Sequence, residues 1–123
     1  MTKVKICGIT RREDLESAVD AGADALGFVV GVPISPRNLP NEKATELVDL
    51  VPDNIQSTIV TTLRTEGELR EVCKVVKAKA IQLHGLKQYP SFLKTEFGLK
   101  VIGAIKAEPL SALDSALEAS QVC

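Results

Sequence analysis

The sequence predicts an α/β fold built around a parallel sheet, and three observations carry that prediction. Short runs of aliphatic and β-branched residues alternate, along all 123 residues, with stretches whose apolar positions recur every three or four places. The second run, Ala25 to Val30, is apolar throughout, as in a strand covered on both faces. Aromatic residues make up only 3% of the chain and Trp is absent, so the core falls to Val, Ile, Leu and Ala, the residues of buried parallel strands.

The elements follow in order. Lys3 to Cys7 reads as a first strand, ended by Gly8. Arg11 to Ala21 reads as a helix with Leu15, Ala18 and Val19 on one face; Thr10 and Glu13 have the spacing of a capping box, and Gly22 is placed to end the helix. Ala25–Val30 is the second strand, and residues 31–40 form a loop punctuated by Pro33, Pro36 and Pro40. Asn41 is expected to cap a second helix facing inward through Ala44, Leu47, Val48 and Val51, with Pro52 just beyond it. Ser57–Thr62 is a β-branched third strand, and Glu66–Lys77 a third helix with Leu69, Val72, Cys73 and Val76 on one side. Ala80 to Gly85 is a fourth strand with its exit, Pro90–Phe97 a fourth helix, Lys100–Ile105 a fifth strand and Ser111–Ala119 a fifth helix. Five units in 123 residues is about 25 residues per unit, close to an eighth of a small barrel of about 200. No low-complexity linker interrupts them, so residues 1–123 are expected to form a single domain. Such a pattern demands right-handed crossovers, but periodicity alone leaves barrel and open doubly wound sheet undecided.

Composition excludes several classes of function. A net charge of -1, with acids and bases interspersed and few aromatics, is unlike a nucleic-acid binder. No apolar run approaches the roughly 20 residues that cross a bilayer. The first residues lead straight into a strand with no room for a signal peptide, so a cytoplasmic location is expected. Cys7, Cys73 and Cys123 are far apart with no Cys-x-x-Cys pair, and His84 is the single histidine, so neither a metal site nor a disulfide is expected. No Gly-x-Gly-x-x-Gly or Walker-type loop follows the first strand, and no cofactor is expected.

In parallel α/β proteins the chemistry collects at the C-terminal ends of the strands. There the sequence places Cys7, then Ser35 and Arg37 in the proline-rich loop, Thr62 and Arg64, His84, and finally Lys106 and Glu108. A thiol, a guanidinium and an imidazole on one rim suit the binding and reprotonation of a small anion. Each also has a plainer reading: Cys7 as a small filler, Arg37 as a solvated charge, His84 as a hydrogen-bonding spacer. Lys5, alternating with Ile6, reads as structural, set in a polar layer or paired with a carboxylate, and Cys73 on an apolar helix face reads as inert.

Lys5-Ile6-Cys7-Gly8-Ile9-Thr10 resembles the opening signature of the phosphoribosylanthranilate isomerases of tryptophan biosynthesis. Gly22-Ala23-Asp24-Ala25-Leu26-Gly27-Phe28, Ser35-Pro36-Arg37 and Ile81-Gln82-Leu83-His84-Gly85 agree with the same family in order and spacing. The resemblance covers the whole chain and implies the first five units of a TIM (β/α)8 barrel. It also implies an Amadori rearrangement of N-(5'-phosphoribosyl)anthranilate, with Cys7 as general base, Arg37 binding the anthranilate carboxylate through paired N–H donors, and His84 lining the pocket.

The family also uses an aspartate after a sixth strand as general acid, and phosphate-binding loops after the seventh and eighth. No aspartate here matches it: Asp14, Asp20, Asp49, Asp53 and Asp114 sit in or beside helices. Gly103 stands where relatives often carry a basic residue, which bears on substrate contacts at the fifth strand. Loss of the acid alone costs about 10²- to 10⁴-fold, so the chain by itself is expected to be inactive or nearly so. Five parallel strands cannot close a barrel, so the edge strands and an apolar inner face are expected to drive self-association or pairing with a complementary barrel fragment. Against the isomerase stand two other readings. One is another phosphate-binding barrel, such as a ribulose-phosphate epimerase or an indole-glycerol-phosphate synthase; the other is a non-catalytic half-barrel, serving as an assembly fragment or binding module.

Overall fold

Strand pairing follows sequence order, and that order decides the architecture. A computed structural model describes residues 3–85 and 88–104. Within them β1 (Lys5–Cys7), β2 (Ala25–Val29), β3 (Gln56–Thr61), β4 (Ala80–His84) and β5 (Lys100–Ala104) form one sheet in the order β1-β2-β3-β4-β5, every pair parallel. Right-handed crossovers in an unreversed strand order put every helix on the same face. A doubly wound sheet would reverse direction at a switch point, and none occurs here. The alternative left open by periodicity is therefore settled: five parallel strands of a (β/α) barrel. The fifth helix, expected at Ser111–Ala119, lies outside the described residues.

Helices α1 (Arg12–Asp20), α2 (Asn41–Asp49), α3 (Glu66–Val75) and the single turn α4 (Phe92–Thr95) cover the outer face. Leu26, Phe28, Ile59, Ile81, Leu83 and Val101 point outward from the strands and pack with Leu15, Leu47, Leu69, Val72 and Leu93 of the helices. The strand residues between them face inward: Lys5, Cys7, Gly27, Thr58, Gln82 and His84 share that face with Ala25, Val29, Val60, Ala80 and Ile102. The inner face is thus mixed rather than apolar as expected, and Ala25, Thr58, Val60 and Ala80 on it are buried. Curvature explains that burial. In a flat sheet β1 and β4 would lie about 14 Å apart, yet the Lys5 ammonium reaches across to Gln82 Oε1. The sheet therefore curls over its own inner side, as a barrel wall does.

Helix ends show where local chemistry prevailed. Gly22, at φ 88°, closes α1 as expected: its N–H reaches Val19 O at 3.1 Å and the Ala23 N–H reaches Ala18 O at 3.1 Å, the paired bonds of a Schellman turn. The capping box expected at Thr10 and Glu13 is not formed. Arg11 is the N-cap, with extended backbone and no side-chain bond, and the Gly8 and Ile9 amides before it bind Gly27 O. Asn41 is likewise inside α2, with Pro40 at its N-cap position. A side-chain N-cap forms instead on α3, with the Glu68 carboxylate bonded to the Thr65 hydroxyl rather than to its backbone N–H. Thr65 Oγ1 accepts from the Glu68 N–H at 3.3 Å, and its hydroxyl donates to Glu68 Oε1 at 2.6 Å. Thr65→Ala is expected to lower the unfolding free energy by about 0.5–2 kcal/mol, read as a lower urea midpoint at unchanged slope. No effect there would mean that solvent already satisfies that amide.

Candidate active site

The inner-facing residues at the C-terminal ends of the strands form the candidate site, and two glycines determine how close they come. Gly8 follows β1 at φ 85°, a conformation an L side chain rarely adopts. A β-carbon there would also overlap Arg37 Cδ, so the stem of Arg37 lies directly over the turn that follows Cys7. On the other flank Cys7 packs against Gly27 of β2: a β-carbon on Gly27 would stand 2.9 Å from Cys7 Sγ and 3.2 Å from its Cα. The exposed Cys7 thiol therefore sits in a notch that only glycines leave open, beside the Arg37 side chain.

Arg37 is held by its loop rather than by an ion pair among the described residues. Asn38 Oδ1 accepts from the Val32 N–H at 2.8 Å, Ser35 Oγ from the Arg37 N–H at 3.2 Å, and the Leu39 N–H donates to Val29 O at 2.8 Å, tying the loop to the end of β2. At the end of β4, Gln82 Nε2 lies 3.2 Å from His84 Nε2, and Gln82 Oε1 accepts from Lys5. Arg64 joins this flank: a β-carbon on Gly85 would be 3.0 Å from Arg64 Nη2. Cys7, Arg37, Arg64 and His84 thus share one rim, while Lys106 and Glu108 lie outside the described residues.

Electrostatics on the inner face centre on Lys5. Partial burial holds its ammonium below the ordinary lysine value, and attraction to a Cys7 thiolate opposes that shift. Among the described residues Lys5 pairs with an amide and not with a carboxylate, so of the two settings open to it in sequence the polar layer is the one observed. Cys73 differs altogether: burial pushes its thiol up to about 11, the inert state expected for a thiol on a helix's apolar face.

Two inner residues were given no role from the sequence. Gln82 links β1 to His84, and its signal was a polar side chain alternating with Ile81 and Leu83 in an otherwise apolar strand. Thr58 is fully buried opposite Gly27, and among the described residues its Oγ1 has no hydrogen-bond partner. Gly103 needs a correction. It lies on the outer face, where a β-carbon would overlap the Tyr89 hydroxyl, so its missing side chain bears on packing and not on the site. Among the described residues no carboxylate stands at a C-terminal strand end. Asp14 lines a hollow of about 380 Å³ with Cys7 but lies in the first turn of α1, paired with Arg11 at 3.2 Å. No cluster of three or more metal-ligating side chains occurs among the described residues, and no helix there is long and apolar enough to cross a membrane.

A sequence profile of the N-(5'-phosphoribosyl)anthranilate isomerase family matches residues 4–122. The chain belongs to the phosphoribosylanthranilate isomerase family. The phosphoribosylanthranilate isomerase of Halorubrum lacusprofundi is 40% identical over 111 residues, covering 88% of this chain and 52% of the relative. That of Geobacter metallireducens is 38% identical over 114 residues, 93% of this chain and 55% of the relative. The chain thus spans about half the length of these relatives. Solved structures agree: the Pyrococcus furiosus phosphoribosylanthranilate isomerase superposes with a TM-score of 0.80 at 33% identity, over 99% of this chain and 62% of the other. A phosphoribosylanthranilate isomerase in complex with reduced 1-(o-carboxyphenylamino)-1-deoxyribulose 5-phosphate superposes with a TM-score of 0.82 at 31% identity, over 98% and 62%.

Proposed function

We propose that these units supply the base and the carboxylate-binding half of a phosphoribosylanthranilate isomerase site. The observation that carries this is the Gly8 turn, which sets the Arg37 side chain beside the exposed Cys7 thiol on the rim of a family barrel. In the reaction an acid protonates the ribose ring oxygen and the ring opens to an iminium. Cys7, as thiolate, takes the C2' proton, the electrons of that C–H bond neutralise the iminium to an enolamine, and the enolamine tautomerises to the ketone. Arg37 holds the anthranilate carboxylate through paired N–H donors, which fixes C2' with respect to the thiol. His84 lines the same pocket. With no strand-end carboxylate among the described residues, the proton that opens the ring comes from elsewhere in a complete barrel, and the 123-residue chain is inactive or nearly so by itself.

β1 and β5 each pair with one strand only among the described residues, so both edges fit further strands of the same barrel or a complementary fragment. That defines the experiment. The 123-residue chain is joined in register to the segment that follows the matching region in the Geobacter metallireducens relative, and turnover of phosphoribosylanthranilate is followed by its fluorescence. The completed barrel is expected to turn over and the 123-residue chain is not. A completed barrel that folds and shows no turnover sinks the isomerase reading. In that barrel Arg37→Lys is expected to raise KM about 10- to 100-fold, the worth of a charge-assisted bond of about 1.5–3 kcal/mol, with a smaller change in kcat. An unchanged KM would remove Arg37 from the carboxylate.

A further inference from the structure

Lys5, Gln82 and His84 form a chain of contacts across the inner face whose hydrogen-bond logic has one solution. An ammonium carries donors and no acceptor. Because the Lys5 ammonium meets Gln82 at its Oε1, the amide must turn its carbonyl to β1 and its NH2 toward the imidazole. The group 3.2 Å from Gln82 Nε2 is His84 Nε2, which then has to accept. A neutral imidazole with its lone pair on Nε2 carries its proton on Nδ1.

We propose that Lys5 and Gln82 are positioning residues that hold His84 as the Nδ1–H tautomer. Two consequences for the site follow. The one lone pair of the neutral ring is occupied by the Gln82 amide, so His84 is not a competing base beside Cys7. The Nδ1–H group is left as a donor of fixed identity, suited to an anionic or carbonyl oxygen of the ligand. This last role rests on the isomerase reading, whereas the tautomer does not. The same logic explains why a lysine is retained on an inner face where burial disfavours its charge: a neutral apolar residue there would leave the amide free to turn over.

His84 is the only histidine in the chain, so its ring nitrogens give the only imidazole signals in a long-range proton–nitrogen spectrum of the uniformly labelled 123-residue protein. Recorded above the ordinary histidine range of about 6.5, the spectrum is expected to show Nδ1 as the protonated nitrogen and Nε2 as the bare one. An Nε2–H ring, or two averaged nitrogens, overturns the proposal in the unmodified protein. Gln82→Glu then reverses the polarity, because a carboxylate can only accept: the proton is expected to move to Nε2. Retention of Nδ1–H in that variant would show that the amide does not hold the ring. Lys5→Met is expected to give averaged nitrogens, and if it does not fold, as its amide spectrum would show, the other two proteins still decide. None of these measurements needs substrate, so absence of isomerase activity and failure of the tautomer are separate results.

Discussion

Cys7→Ala in the completed barrel is expected to lower kcat by about 10²- to 10⁴-fold, the range for loss of a positioned proton-transfer group. Removing C2' hydrogen as a proton needs a base within reach of the substrate, and the thiol at the end of β1 is the inner-face group that is both exposed and capable of carrying an electron pair there. Among the described residues nothing else on the rim replaces it: a guanidinium offers donors and no acceptor, and Gln82 occupies the His84 nitrogen that would accept. KM should change little, since the carboxylate contact is proposed for Arg37 and methyl replaces a small thiol in an open notch. Stability should also hold, because Cys7 is exposed and Gly27 beside it leaves no cavity to create. A kcat within threefold of the parent, in protein with an unchanged unfolding midpoint, would remove Cys7 from the proton transfer. Turnover by the 123-residue chain alone that vanishes in Cys7→Ala would keep the base and overturn the need for an acid from elsewhere in the barrel.

Much of this was legible in the sequence because parallel α/β folds concentrate their information. Leu26 and Phe28 sit in an uninterrupted apolar run since their strand has helices on one side and a curled sheet on the other, and such a run can hardly be read otherwise. Gly22 was legible for the same kind of reason: a left-handed residue at a helix end is nearly always glycine. Cap identity was less legible. Thr10 with Glu13 and Thr65 with Glu68 have the same spacing, yet α1 starts one residue too late for Thr10 to cap it while Thr65 caps α3, a difference the spacing does not carry. The site split along similar lines. Cys7, Arg37 and His84 could be named from strand ends, but their association could not, because it depends on the close approaches at Gly8 and Gly27. Gln82 stood at a strand end in the sequence, but its role did not show there: its partner Lys5 is three strands and 77 residues away, a separation that only the curvature of the sheet closes.

The curvature rests on the outer core, and Phe28→Ala is expected to be the most damaging single truncation in that core, at about 3–5 kcal/mol. Phe28 is fully buried at the centre of β2, paired in register with Ile59 of β3 and among the largest of the fully buried side chains. β2 has neighbours on both sides and the helices pack over it, so the void cannot collapse without moving the strand that also backs Cys7 through Gly27. A domain stability of about 5–15 kcal/mol leaves little after such a loss. The urea midpoint should fall accordingly, with the slope kept if unfolding stays two-state. Phe92→Leu offers the contrast: that ring lies at the rim of the core, under the Arg70 guanidinium at 4.2 Å and edge-on to Phe97 at 6.1 Å, and a leucine keeps most of its apolar contact. Its cost should stay below about 1.5 kcal/mol, as for swaps that nearly conserve volume. If Phe28→Ala cost no more than Phe92→Leu, β2 would not be the strand on which the sheet and the site both depend. The fold and the Cys7 notch would then have separate supports.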